Sequence, residues 1–369
     1  MTTLGERIDH VIGVDSHRDA HAAAFCDHNG RVRGEQMVSA DAFGYRELAD
    51  AAATHAPGRR VWAIEGTGSY GAGLCAYLIG RGEWVVEIDR PRRGRRAGKC
   101  DRADAARAAR EALSREHLIA PRARGQRAAL RALLVTRESA VVARTKAIQL
   151  VRALLVSAPE ELRERLRGHS TPDLLRSCAR LRALPAQSLE HRATAVALRA
   201  GARRALALEA EAAELAELIE ALVRPLAPQL LEEPGVGAIT AAQILVSWSH
   251  PGRVRSEAAF AHLAGVCPVE ASSGVVVRHR LQRGGDRKLN RALHTIVLSR
   301  MAHHAETRAY VERRAGDGKS PREIRRCLKR FVARRVYRLL EAGPAALDAL
   351  TAASGEQSAG TPTMAASAP

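Results

Sequence analysis

Residues 9–26 read DHVIGVDSHRDAHAAAFC, and this stretch decides the fold of the first half of the chain. Residues 9–15 and 20–26 alternate with the period of two that a half-buried strand requires. Residues 31–39 (RVRGEQMVS) read as a third strand. Asp15 ends the first strand, at the rim of a sheet, where ligands bind. A carboxylate there is weak evidence on its own, because short polar residues also cap chain turns.

Working outward, a helix is predicted over 41–55, a strand over 59–66 (RRVWAIEG), a helix over 69–82 and a strand over 83–89 (EWVVEID). Three early strands followed by strands alternating with helices predict a mixed α/β sheet. A basic loop, RPRRGRRAGK, leads into an Ala-rich helix opening at Cys100 or Asp101. From about 125 to 230 the pattern is helical. Leu134, Val141, Ile148 and Leu155 recur every seven residues, and Leu208, Ala212, Leu215, Ile219, Leu222 and Leu226 form a second heptad seam. The two helices are predicted to pair in one chain, with pairing across a dimer as the alternative. Pro234-Gly235-Val236-Gly237 breaks the helix, and a mostly helical, basic region runs on to about 345. The tail from Ala352, rich in Ser, Ala, Gly, Thr and Pro, is predicted to be disordered.

A length of 369 residues implies two or three domains. Aromatics are only 3% of the chain, so cores must be built from Ala, Leu and Val, which favours helices. The net charge of +18 points to a polyanionic partner. A base-composition bias toward Arg does not explain why the charge is clustered. Residues 90–131 hold 14 Arg or Lys against 4 acidic residues, and residues 251–343 hold 21 against 8, with an acidic stretch between them. Six scattered Cys form no metal-binding or disulfide pattern, and no signal or long apolar segment opens the chain. Together these features predict a soluble intracellular protein with no membrane partner.

Glu65 ends its strand as Asp15 does, in WAIEGTGSYG. Asp101 and Asp104 in KCDRADA stand three apart and share a helix face. Nearby Arg residues could neutralise them. The alternative is a pair of divalent ions, because hard cations take oxygen ligands and two of them serve phosphoryl transfer. The ordered set of Asp15, Glu65, Asp101 and Asp104 on a β-rich half favours the metal. His17, His21, His279 and His294 read as ordinary loop or surface residues, although His17 could support the metal site. Gly235 and Gly237 open a helix with backbone N–H groups able to hold a phosphate, as in a helix-hairpin-helix. An ordinary helix–helix turn would look the same. In PVEASSGVVVRHRLQRGGDRKLNRALH, a Ser-Ser-Gly turn precedes a strand and helix bearing Arg278, Arg280, Arg283, Arg287, Lys288 and Arg291. A serine there could meet a phosphodiester, though Ser beside Gly is commonly turn chemistry. Arg92, Arg93, Arg95, Arg96 and Lys99 form the other candidate nucleic-acid contact.

VIGVDSHRDAH, IEGTGSYG, KCDRADA, PGVGAITAAQIL and ASSG…RGGDRKLNRALH, in this order, resemble the DEDD transposases of bacterial insertion sequences, the insertion-sequence one-ten family. The likeness covers about 9–340. It implies a RuvC-like, RNase H-type α/β nuclease domain over 1–120 and a helical coiled-coil domain over 121–231. A C-terminal transposase domain would span 232–348, with a disordered tail over 349–369. It places the catalytic, metal-binding tetrad on Asp15, Glu65, Asp101 and Asp104, with Mg²⁺ as the cofactor, two ions, and Mn²⁺ as the alternative. It also implies a catalytic serine at Ser273 that forms a phosphoserine link to DNA. Many family members carry an aromatic or polar residue ahead of this serine, whereas this chain has Ala271 and Ser272, which leaves Ser272 as the rival. By resemblance alone, a structured guide RNA pairs with the element ends and target DNA, a homodimer or homotetramer acts, and the site of action is the nucleoid in the bacterial cytoplasm.

The function expected is therefore a transposase that excises and inserts its own element. One alternative is a RuvC-like junction-resolving nuclease that uses water as the nucleophile. Another is a nucleic-acid-binding protein without catalysis, which the presence of all four carboxylates and the serine argues against.

Overall fold

The structure is a computed structural model and describes residues 4–88, 100–272, 279–282 and 284–342. It divides into two compact units. The first runs to Gly125 and also takes in Trp248–Ser256. The second comprises Gln126–Ser247 and, among the described residues, 257–342.

The first unit contains α1 (Leu4–Arg7), β1 (His10–Ser16), β2 (Ala20–Asp27), β3 (Val32–Ser39), α2 (Ala42–His55), β4 (Arg60–Glu65), α3 (Ala72–Gly80), β5 (Trp84–Ile88) and α4 (Asp101–Ser114). The strands form one sheet in the order β3-β2-β1-β4-β5. β1 pairs antiparallel with β2 and parallel with β4, so β1 and β4 end on the same rim. One face buries Ile12, Val14, Phe25, Trp62 and Ile64 against Leu48 of α2 and Leu74 and Leu78 of α3. The other face buries Val11, Ala24, Val61, Ala63 and Val86 under Ala105, Ala108, Ala109 and Ala112 of α4.

The alanines of α4 explain how closely it lies on the sheet. A Cβ on Gly13 would fall 2.0 Å from the carbonyl oxygen of Ala105 and 2.6 Å from the nitrogen of Ala109. The helix backbone therefore rests on the backbone of β1, an approach open only to glycine there. α2 starts where Asp41 accepts a hydrogen bond from the N–H of Gly44, the usual device for an orphan helix donor.

A buried ion network completes the unit. Glu87 of β5 pairs with Arg122 at 3.0 Å and Arg253 at 3.2 Å, and Thr67 donates to it at 2.7 Å. Beside it, the N–H of Ala123 donates to the buried Ser249 hydroxyl at 2.9 Å. Residues from far along the chain thus belong to the N-terminal unit. Burial alone would push the Glu87 carboxyl up, but the Arg253 and Arg122 guanidiniums hold it below the usual carboxylate range.

The second unit contains α5 (Gln126–Val156), α6 (Glu160–Leu166), α7 (Thr171–Ala179), α8 (Leu189–Leu226), α9 (Pro228–Leu231), α10 (Ala238–Trp248), α11 (Glu257–Leu263), β6 (Pro268–Glu270), β7 (His279–Leu281), α12 (Arg287–His303), α13 (Ala305–Gly316) and α14 (Pro321–Ala342). α10 ends at Trp248, which belongs to the first unit. α5 and α8 lie antiparallel, with Arg144 pairing to Glu209 at 2.9 Å and Val151 facing Gly201. The hairpin within one chain is thus present. The seam on α8 includes Ala212, Ile219 and Leu226, as its periodicity predicts. On α5 the seam is shifted: Leu130, Leu134, Ala140, Ala147 and Val151 are buried, while Val141 is 39% exposed. Large residues had been expected in this seam, but α8 approaches closely at Gly201 and favours alanine instead. α14 buries Ile324, Leu328, Val332, Val336 and Leu340, a strip with the spacing of one helix face.

Much of the basic charge of this unit is matched internally. Glu257 holds Arg330 at 2.8 Å and Arg334 at 2.9 Å, and Glu233 holds Arg335 at 2.7 Å and Arg300 at 3.0 Å. Among the described residues, no helix is long and apolar enough to cross a membrane.

Candidate metal centre

Asp15 lies one residue before the end of β1 and is buried. Because β1 and β4 are parallel with Val14 opposite Ile64, Glu65 ends its strand beside Asp15. Odd-numbered positions of both strands face α4, so the two carboxylates point to one side. α4 runs back over that side and opens with Asp101 and Asp104. The contact at Gly13 and Ala105 fixes where this acidic turn falls. The acidic rim therefore follows from the fold.

The carboxylates of Asp15 and Asp101 and the imidazole of His17 offer ligand atoms that all lie within 4.8 Å of one another. His17 Nε2 lies 3.2 Å from Asp15 Oδ2 and 3.5 Å from Asp101 Oδ1. Asp104 is buried and ion-paired with Arg107, one helical turn on. Burial raises the carboxyl of Asp15 above the ordinary range, and Asp104 and Asp101 add to the rise against the pull of His17. Ser16 donates to the backbone oxygen of Glu65 at 2.7 Å and ties the two strand ends together.

The donor set fits a hard divalent cation. A helix N-terminus favours Asp101 and Asp104 by itself, and Arg107 neutralises Asp104. Neither accounts for a buried Asp15 beside them, and His17 lies between Asp15 and Asp101. Converging carboxylate oxygens with an imidazole beside them are a donor set that a hard divalent cation accepts. Of the four histidines read as loop or surface residues, His17 is the one for which a supporting part at the metal site is also expected, and it lies there. The signal that places it is simple: His17 follows Asp15 by two along an extended chain, so both project to the same side. His21, also expected at the surface, is buried and stacks on Tyr45 at 5.7 Å because its position faces the core beside α2.

The other predicted residues scatter. Ser273, Arg278 and Arg283, and Arg92, Arg93, Arg95, Arg96 and Lys99, lie outside the described residues; Ser272 is exposed. Arg280 and Arg287 are exposed. Lys288 and Arg291 share Glu138 of α5, at 2.7 and 2.6 Å, so a phosphate reaching them must compete with a carboxylate. Gly235 takes a positive φ of 77° and packs against the end of α12. Gly237 is open, but its N–H donates to the hydroxyl of Thr240 at 3.0 Å, and the N–H of Val236 donates to Glu233 O at 3.1 Å. Two amides of the expected phosphate cradle are thus engaged within the turn.

Two family profiles match this chain. A DEDD transposase profile covers residues 12–158, nearly all of the sheet, its acidic rim and all of α5. The profile described as "Transposase IS116/IS110/IS902 family" covers residues 227–312. Matched at both ends and over well more than half its length by transposase profiles, the chain belongs to the IS110 family of transposases. A stretch of 109 residues is also 35% identical to "Insertion element IS110 uncharacterized 43.6 kDa protein" of Streptomyces coelicolor. That stretch is 29% of this chain and spans 26%, about a quarter, of that relative.

Proposed function

We propose that the chain is a DNA transposase that excises and inserts an insertion sequence by metal-assisted attack of Ser273 on DNA. The observation that carries this reading is the convergence of Asp15, Asp101 and His17 on one point of an RNase H-like sheet rim, with Asp104 and Glu65 beside it.

Asp15, Asp101, Asp104 and Glu65 would hold Mg²⁺ or Mn²⁺, which when bound stabilises charge on phosphate oxygens. His17 orients Asp15 and Asp101 through its Nε2. The Ser273 hydroxyl forms an Oγ–P bond as one P–O ester bond of the strand breaks, and its proton ends on the released hydroxyl. The reverse step, with a different strand end attacking, restores the serine and joins the new strand. The net charge of +18 supports DNA as the substrate, and a structured RNA that pairs with element ends and target would set the sequence. Action as a homodimer or homotetramer is supported by Val135, Val142 and Leu150, apolar and exposed seven and eight apart along α5.

A suicide DNA substrate resolved on a denaturing gel tests the mechanism. The native chain is expected to form a covalent protein–DNA adduct in Mg²⁺. Ser273→Ala and Asp15→Ala should each abolish it while retaining nucleic-acid binding. Cleavage without an adduct that persists in Ser273→Ala would instead establish the junction-resolving nuclease that uses water.

A further inference from the structure

Beside the acidic rim lies an open cleft of about 360 Å³, lined by His17, Arg18, Ala22, Met37, Tyr70 and Asp101 among others. The sheet register explains its shape. Asp15 pairs with Ala22, and Ala22 pairs with Met37, so the three form one row across β1, β2 and β3. Residues in such a row project to the same face, and adjacent strands lie about 4.8 Å apart. Ala22 contributes only a methyl group, which leaves a hollow about 10 Å across between the Asp15 and Met37 positions.

The walls of this hollow are unusual for their setting. Tyr70 is 58% exposed and Met37 51% exposed, next to a cluster of charges. The chain holds five tyrosines, and aromatic residues are scarce throughout. The other four rings are engaged: Tyr45 with His21 and Tyr77, Tyr310 with Phe331, and Tyr337 with Phe260. Among the described residues, the ring of Tyr70 has no such partner. Arg18, exposed and ion-paired with the equally exposed Asp19 at 3.0 Å, places its guanidinium at the same cleft, where a phosphate would compete with that carboxylate.

We propose that this cleft takes one unstacked base of a DNA strand, laid on the Tyr70 ring and against Met37, next to the phosphate at the acidic rim. The inference rests on the reading of that rim as the place of DNA cleavage. An aromatic face binds any base, a thioether adapts to its edge, and a guanidinium satisfies a neighbouring phosphate. A base reaches such a hollow only when it has left the duplex stack, so the cleft favours strand ends and melted junctions over intact duplex. Tyr70 is a positioning residue: it fixes the nucleotide flanking the reacting phosphate.

Photocrosslinking tests this in the full-length protein. The probe is a single-stranded oligo(dT) carrying one 5-iododeoxyuridine, used without divalent metal, with crosslinked peptides mapped by mass spectrometry. The expected adduct falls on Tyr70 or Met37, survives in Asp15→Asn, and is lost at that site in Tyr70→Ala. Affinity for the same oligonucleotide should fall about tenfold in Tyr70→Ala and be retained in Tyr70→Phe, which keeps the ring. Equal affinity in all three proteins, or adducts confined to other peptides, would overturn the proposal. DNA cleavage by Asp15→Asn together with an intact Tyr70 adduct would sink the reading of the rim and leave the base site standing.

Discussion

Ionising Asp15 carries a cost, because burial and the neighbouring Asp104 and Asp101 carboxylates oppose the charge against the pull of His17. A carboxyl with a raised folded-state pKa loses stability as pH climbs through that value, so at neutral pH it weakens the metal-free fold. Asp15→Asn is therefore expected to raise the melting temperature in divalent-free buffer while abolishing DNA cleavage. Addition of Mg²⁺ or Mn²⁺ should raise the melting temperature of the native chain and leave that of Asp15→Asn unchanged. A metal-induced shift of equal size in both would remove Asp15 from the ligand set. Glu87 has the opposite sign. Its folded-state carboxyl is held low, so its ion pairs add stability above the usual glutamate pKa, and this is lost as pH falls below it. Glu87→Gln removes the buried carboxylate that Arg253 and Arg122 share, and a loss of about 3 kcal/mol in urea unfolding at pH 7 is expected, shrinking in acid as the native pairs are lost as well.

At the scale of elements, the contact between β1 and α4 decides whether the site exists. Gly13→Ala would drive a methyl group into the backbone of Ala105, with an expected cost of about 3 kcal/mol in chemical denaturation and loss of cleavage as the acidic turn moves off the rim. Native stability in Gly13→Ala would show that α4 is not seated as described. These elements were legible in the sequence because period-two strands and capped helices are local patterns. Each strand of the sheet was placed within a residue or two, and Asp15, Asp101 and Asp104 were legible from their positions at element ends. What local pattern could not supply was depth and partnership. Nothing in the heptads of α5 announced that Gly201 would draw α8 close and turn Val141 outward. Nor did the basic run at 287–291 reveal Glu138, which lies some 150 positions earlier and already occupies Lys288 and Arg291. The partnering of Glu87 with Arg253, 166 positions away, was equally hidden.

For the whole molecule, the charge excess of +18 is what the proposed DNA binding would draw on. With phosphate contacts dominant, the logarithm of the observed DNA-binding constant should fall linearly with the logarithm of salt concentration, with a slope of about −0.9 per phosphate neutralised. Glu138→Gln, which frees Lys288 and Arg291, is expected to steepen that slope in filter-binding titrations; an unchanged slope would remove those two residues from the interface. The return of Trp248–Ser256 to the N-terminal unit has a further consequence, for the ribosome. The unit that carries the acidic rim is missing Ser249 and Arg253 until two-thirds of the chain has been made. At a synthesis rate of about 5–20 residues per second, Glu87 and Arg122 wait roughly ten seconds for their partner. All five strands of the sheet are made by Ile88, but the buried Glu87 gains Arg253 only after the long helical hairpin has emerged, so the N-terminal unit completes its ion network late in translation.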